Sequence, residues 1–207
     1  MKRSIDMIHT IIVPGVGGSD SDHWQSWLQR ELLSCSRVQQ DDWNLPILKD
    51  WIAQFVKTVK NVDRDIQIVA HSFGCLTTLA ALAQHPEIAI KVKKVILVAP
   101  ANPARFGEAG FARNSIGNYE NYFQTLKVNV PTDMIISEND PWLTFEDAQQ
   151  LAKAWKLKLR NLGQVGHINV ASGFGPFPEI LDHLIDEQQL SFIRNTDDSQ
   201  LFFKFAI

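Results

Sequence analysis

Cysteine is scarce. The 207 residues hold only Cys35 and Cys75, whereas a secreted domain stapled by disulfides would carry more. Both are therefore expected as free thiols in a reducing compartment, with Cys75, in an apolar run, acting as packing. An excess of charge of one sign is also lacking. The 20 basic and 23 acidic side chains leave a formal charge of −3, so electrostatics give no reason to expect nucleic acid or an anionic membrane as a partner. The longest apolar stretch beyond the N-terminal region, Val95 to Ala101, is far shorter than the ~20 residues of a membrane-spanning helix. At the N-terminus, Lys2 and Arg3 precede apolar residues. Asp6 and His9 interrupt that stretch and no small-residue cleavage site follows, so it reads poorly as a signal peptide. Internal repeats and low-complexity segments are absent. These absences lead to the expectation of a soluble cytoplasmic protein.

What remains is the profile of a globular domain, 45% hydrophobic and 21% charged. The length suits a single domain over residues 1–207 that can bury a core without staples. Short β-branched runs alternate with longer amphipathic ones. Strands are expected at Met7 to Val13, Ile66 to Ala70, Val92 to Ala99, Thr132 to Ser137 and Lys156 to Leu162, with a short one at Val38 to Gln40. Helices are expected at Asp22 to Ser34, Ile47 to Val59, Gly74 to Gln84, Phe145 to Trp155 and Pro178 to Gln189. Such alternation argues for an α/β fold: a mostly parallel sheet with helices on both faces. Between Asn102 and Val130 lies a polar, aromatic stretch with Phe111, Tyr119, Tyr122 and Phe123. It reads as either a small cap or a connecting loop, and its aromatic side chains hint at a partly apolar pocket. The tail from Asn195 to Ile207 is too apolar to hang free.

The central chemical signal is Ala70-His71-Ser72-Phe73-Gly74. It follows a buried strand and opens a helix, as a nucleophile elbow must, with Ala in place of the first glycine. The tight turn pushes the serine side chain out over the sheet edge. A serine hydroxyl is a weak nucleophile at neutral pH and needs a base, which in turn needs an orienting group. On this fold the chain order is Ser, then Asp or Glu, then His. A parallel sheet ends all its strands at one edge, so each member must follow a strand.

Of the six histidines, His167 meets both tests, after the last strand in Gly163-Gln164-Val165-Gly166-His167. His9 lies inside the first strand, His85 ends a helix at the opposite edge and His183 sits on a late helix. His71 neighbours the serine and cannot easily turn back onto it, and His23 comes in the wrong chain order. Asp140 meets the tests in Glu138-Asn139-Asp140-Pro141, with Glu138 as competitor on the same loop. Asp133, Asp63 and Asp65 fall at strand starts, the wrong edge. The oxyanion of an acyl-transfer intermediate needs backbone donors. Phe73, the residue after the nucleophile, should supply one, and Val16, in the glycine-rich loop Pro14 to Ser19, the other. That loop lacks the third glycine of a dinucleotide fingerprint and the lysine of a P-loop.

With these residues in hand, the chain resembles the YdeN-like serine hydrolases, a family that includes retinoblastoma-binding protein nine. The resemblance rests on V-P-G-V-G-G at 13–18, H-W-Q-S-W at 23–27, A-H-S-F-G at 70–74, S-E-N-D-P-W at 137–142, G-H-I-N at 166–169 and S-G-F-G-P-F-P at 172–178. It spans roughly Ile11 to Leu184. It implies a compact α/β-hydrolase fold with little or no lid and a triad at Ser72, Asp140 and His167. His23, Trp24 and Trp27 belong to the family's look, but their first reading is packing on one helix face.

The expected activity is acyl transfer to water on a small ester or related acyl substrate, calling for no metal or organic cofactor. Two other readings stay open. One is a catalytically weak hydrolase-fold protein that acts as a protein-binding module, because fold does not fix function. The other is a C–C bond hydrolase on the same fold. Relatives with an Asp nucleophile are excluded by Ser72.

Overall fold

The computed structural model describes residues 8–105, 119–127 and 129–184. Six strands form one sheet: β1 (His9–Val13), β2 (Cys35–Arg37), β3 (Ile66–His71), β4 (Val92–Val98), β5 (Thr132–Ile136) and β6 (Lys158–Asn161). Their order is β2-β1-β3-β4-β5-β6 and every neighbouring pair is parallel. The intervening helices are α1 (Trp24–Glu31), α2 (Leu48–Lys60), α3 (Phe73–Gln84), the single turn α4 (Pro86–Ala89), α5 (Tyr119–Thr125) and α6 (Phe145–Trp155). Among the described residues, no helix is long and apolar enough to cross a membrane.

The strands divide their side chains between two cores with the period of two that a pleated sheet imposes. Ile11, Val13, Ile68, Ala70, Val95 and Leu97 face α2, α3 and α6. Ile12, Val69, Ile96, Val98 and Ile135 face Trp24 and Leu28 of α1, together with Phe177 and Ile180 from the chain's late turns. Covering on both faces is why β3 is buried along its whole length. Helix α2 places Leu48, Trp51, Ile52, Phe55, Val56 and Val59 on its buried side, the i, i+3, i+4 stripe of an amphipathic helix. Each large apolar side chain it fully buries contributes roughly 1.5–3 kcal/mol. Helix α3 is buried continuously from Phe73 to Ala81, so it is apolar all round, as a central helix must be. Its two threonines satisfy their hydroxyls on the preceding turn, Thr77 donating to Phe73 O at 3.2 Å and Thr78 to Gly74 O at 2.8 Å. Cys75 lies in this buried run and its thiol donates weakly to Val98 O at 3.5 Å; burial pushes the thiol above its ordinary range.

The expected strand at Val38 to Gln40 lies instead at Cys35–Arg37, whose Cα partners are Thr10, Ile11 and Ile12. An edge strand needs little hydrophobicity of its own, and the polar side chains here are tied down: Ser34 and Ser36 bond the two ring nitrogens of His9, each at 2.9 Å. Pro178 to Gln189 is not an α-helix over its described part. Pro178–His183 is a 3₁₀ turn, and residues beyond 184 lie outside the described residues, as does the tail 195–207. Of the aromatic side chains between 102 and 130, Phe106 and Phe111 lie outside the described residues. Tyr119, Tyr122 and Phe123 belong to α5 and pack on the core, with Trp155 Nε1–H donating to Phe123 O at 2.7 Å.

Candidate active site

All six parallel strands end at one edge, and the chain reverses its direction of travel across the sheet between β1 and β3. The loops after those two strands must therefore part, opening a crevice. Gln25, fully buried, braces that split, its amide donating to Val13 O and Val69 O, each at 3.2 Å.

Ser72 stands at the head of the crevice with φ 53° and ψ −123°. This left-handed conformation is sparsely populated for a residue with a Cβ, costs on the order of 1–3 kcal/mol and persists only where the surroundings hold it. The surroundings here leave no room. A Cβ on Gly15 would fall 2.7 Å from the Cβ of Ser72, and one on Gly74 would fall 2.5 Å from the carbonyl oxygens of both Val13 and Pro14. Gly74, two residues after the nucleophile, is thus required because α3 begins almost in contact with the backbone at the end of β1. On the other side of the serine Ala70 is tolerated, fully buried.

The structure brings three of the expected residues together. His167 Nε2 lies 3.0 Å from Ser72 Oγ, and His167 Nδ1 lies 2.9 and 2.8 Å from the two carboxylate oxygens of Asp140. Both partners of the ion pair are buried, with side-chain exposures of 8% and 3%, so its field is little screened by solvent. Asp140 Oδ1 also accepts from Trp142 N–H at 2.9 Å, which fixes the carboxylate. Because a carboxylate only accepts, the proton between the two groups sits on Nδ1, leaving Nε2 to accept from the Ser72 hydroxyl. Glu138, the competitor, is exposed and turns the other way, accepting from Asn161 Nδ2 at 2.8 Å.

The loops carrying acid and base are stitched to each other. Asn139 Oδ1 accepts from Gly166 N–H at 2.7 Å, Ser137 Oγ from Val165 N–H at 3.0 Å, and Gly163 O from Glu138 N–H at 2.8 Å. Beyond the base, Asn169 and Ser172 form a reciprocal cap.

Val16 and Phe73, expected as oxyanion donors, line the same cavity as Ser72 and His167, along with Ala101, Trp142 and Asn169. The cavity measures about 220 Å³. The N–H of Val16 has no acceptor among the described residues, while the next two amides are occupied: Gly17 donates to Trp43 O and Gly18 to Gly15 O. Arg37 shapes this loop from behind, its guanidinium donating to the carbonyls of Gly18 (3.0 Å) and Ser19 (2.8 Å), to Ser26 Oγ (2.7 Å) and to Gln29 Oε1 (2.8 Å).

Two further histidines pack beside His167. His23 caps α1, its Nδ1 accepting from Gln25 N–H at 3.1 Å, and burial lowers its pKa to about 4. His71, wholly buried, is held well below its ordinary range, chiefly by that burial and secondarily by His167 and His23. The rings of His23 and His71 are 4.9 Å apart, as are those of His71 and His167. The sequence offered no periodic signal for Trp142 or Asn169, nor for Gln25, Arg37 and Asn139, whose partners lie on other segments. Among the described residues, no group of three or more His, Cys, Asp or Glu side chains is placed to hold a metal ion.

A family described as serine hydrolase matches residues 10–186. YdeN of Bacillus subtilis strain 168, a protein named as a hydrolase, is 26% identical over 192 residues, covering 89% of this chain and 95% of YdeN. The crystal structure of a YdeN-like hydrolase from Pectobacterium atrosepticum superposes with a TM-score of 0.73 at 32% identity, over 86% of this chain and 89% of that one. The B. subtilis ydeN product superposes with a TM-score of 0.68 at 20% identity, over 85% and 96% of the two chains, a likeness in fold. The fold is thus the α/β-hydrolase fold that the family resemblance implied, built on the parallel sheet expected from the alternation of elements.

Proposed function

The chain belongs to the serine hydrolase family, and from that membership we propose that it is a carboxylesterase-type enzyme that cleaves a small ester through an acyl-enzyme on Ser72. The observation that carries this reading is the unbroken hydrogen-bond chain Ser72 Oγ–His167–Asp140, with links of 3.0 and 2.8 Å. Ser72 Oγ attacks the substrate carbonyl carbon while its proton passes to His167 Nε2. Asp140 holds the tautomer and stabilises the imidazolium. The negative oxygen of the tetrahedral intermediate is received by the N–H groups of Val16 and Phe73, the latter at the positive end of α3. Collapse breaks the bond to the leaving alkoxide, which takes the proton from Nε2. A water molecule, deprotonated by the same nitrogen, then releases the acid and returns the proton to Ser72.

A cavity of about 220 Å³ with Val16, Ala101 and Trp142 in its walls suits a short acyl group better than a long chain. A scaffold kept only for protein binding would have no need of a strained serine aligned on a buried His–Asp pair, which is what favours chemistry over that alternative.

The test is labelling by a fluorophosphonate together with turnover of p-nitrophenyl esters from acetate to octanoate. The expected result is labelling of the wild type and none of Ser72→Ala, with turnover highest for the short chains. A folded wild type that neither labels nor turns over any ester refutes the proposal.

A further inference from the structure

The base is carried on a loop whose backbone is itself unusual. Ile168, next to His167, has φ 48°, in the left-handed region, where a β-branched side chain is a genuine outlier. It is fully buried. Such a conformation survives only where neighbouring groups over-determine it, and two side chains do so. His71 Nε2 lies 3.0 Å from the carbonyl oxygen of His167. A carbonyl only accepts, so Nε2 carries the proton and donates. The indole Nε1–H of Trp24 donates to the next carbonyl, that of Ile168, at 2.8 Å.

Consecutive carbonyls, at the base and just after it, are thus gripped by N–H groups from two distant parts of the chain. No other donor reaches either carbonyl among the described residues. The two donors also brace each other, with the rings of Trp24 and His71 meeting edge to face at 5.8 Å and 90°. The loop's other backbone ties lie upstream, at Glu138 N–H on Gly163 O, Val165 N–H on Ser137 and Gly166 N–H on Asn139, and downstream, in the Asn169–Ser172 cap. Neither reaches the peptide that sets the direction of the imidazole.

We propose that His71 and Trp24 are positioning residues for the base, clamping the His167 and Ile168 carbonyls so that His167 Nε2 stays within hydrogen-bond reach of Ser72. The clamp rests on the reading of His167 as the general base. It also gives the residue before the nucleophile a role. His71 shares a turn with Ser72, so one short segment carries the nucleophile and fixes the height of the base above it. Burial keeps the His71 ring neutral. The clamp therefore adds no positive charge beside the imidazolium that forms on His167 during attack.

The test compares His71→Leu, which removes the donor, His71→Gln, whose amide restores an N–H at similar reach, and Trp24→Phe, which keeps an aromatic ring without the indole N–H. His167→Ala is the reference. Turnover of p-nitrophenyl acetate is normalised to sites titrated by fluorophosphonate, and folding is followed by circular dichroism. His71→Leu and Trp24→Phe are each expected to lower kcat roughly 10²-fold, the scale set by a misplacement of about 1 Å, with KM nearly unchanged. His71→Gln is expected to recover most of the loss. Loss of a merely structural contact would lower the melting temperature without this split between kcat and KM and without rescue by Gln.

Should His71→Leu fail to fold, Trp24→Phe carries the same test. Inactive His167→Ala beside folded Trp24→Phe or His71→Leu turning over within about twofold of wild type refutes the clamp alone. So does a folded His71→Gln no better than His71→Leu. Full activity of His167→Ala refutes the base and the clamp together.

Discussion

Replacing Gly74 by Ala adds one methyl group where the structure has no room for it. The new Cβ would lie 2.5 Å from Val13 O and from Pro14 O, where ordinary contact begins at 3.4 Å, so α3 and the end of β1 must part by about 0.9 Å. Both obstacles are backbone atoms held by the sheet and by the split between β1 and β3, so neither can rotate away as a side chain would. Overpacking of this kind costs about 1–3 kcal/mol, here at the upper end. Ala returns about 1 kcal/mol through its helix propensity. The net loss of about 2 kcal/mol corresponds to a fall in melting temperature of about 4–8 °C for a chain of this size.

Activity should suffer more than stability does. The displaced loop carries Gly15 and Val16, the proposed oxyanion donor, and a shift approaching 1 Å costs roughly 10²-fold in rate. Scanning calorimetry and kcat/KM on p-nitrophenyl acetate measure both effects. A Gly74→Ala variant with unchanged melting temperature and unchanged kcat/KM would refute the claim that this close approach sets the elbow.

Two further outcomes follow from the site. In Asp140→Asn the side-chain oxygen can still accept from Trp142, but the amide nitrogen then faces His167 Nδ1 and forces the proton onto Nε2, away from the role of base. The expected loss in kcat is about 10³–10⁴-fold with little change in melting temperature, whereas Glu138→Gln should keep near-wild-type turnover because Glu138 bonds Asn161; reversal of that ranking would sink the assignment of Asp140. The third outcome concerns pH. His23 is neutral in the folded state, its pKa lowered from 6.5 to about 4 by burial first. Below pH 6.5 the unfolded chain therefore binds a proton that the folded chain does not, and stability falls as pH drops toward 4, by about 3 kcal/mol from this group. His23→Asn keeps a good helix cap and removes the titration, so urea unfolding between pH 7 and 4 should show a shallower loss; equal slopes for variant and wild type would count against the burial of His23 as the cause.

Some parts of the molecule obey local or one-dimensional rules and were legible in the sequence alone. β-branched runs such as Ile66 to Ala70 can lie comfortably only in a covered strand, and Ala70-His71-Ser72-Phe73-Gly74 at the junction of strand and helix admits few backbone paths. Since parallel strands all end at one edge, position after a strand and order along the chain were enough to narrow the six histidines to His167 and to reject Asp133. What depends on direction rather than position came only with the folded chain. Asp140 and Glu138 share a loop, and only the fold shows one carboxylate turned to the imidazole and the other to Asn161. The edge strand fell at Cys35–Arg37 because its hydrogen bonds to β1, not its own hydrophobicity, hold it. Trp24 reads from the sequence as packing and His71 as a neighbour facing away, and their N–H groups acquire a use only when the chain brings the His167–Ile168 carbonyls beside them. Propensity and steric exclusion act between neighbours in sequence and so can be read along it. A hydrogen bond between residues 24 and 168 exists only because the sheet has already fixed where both ends lie.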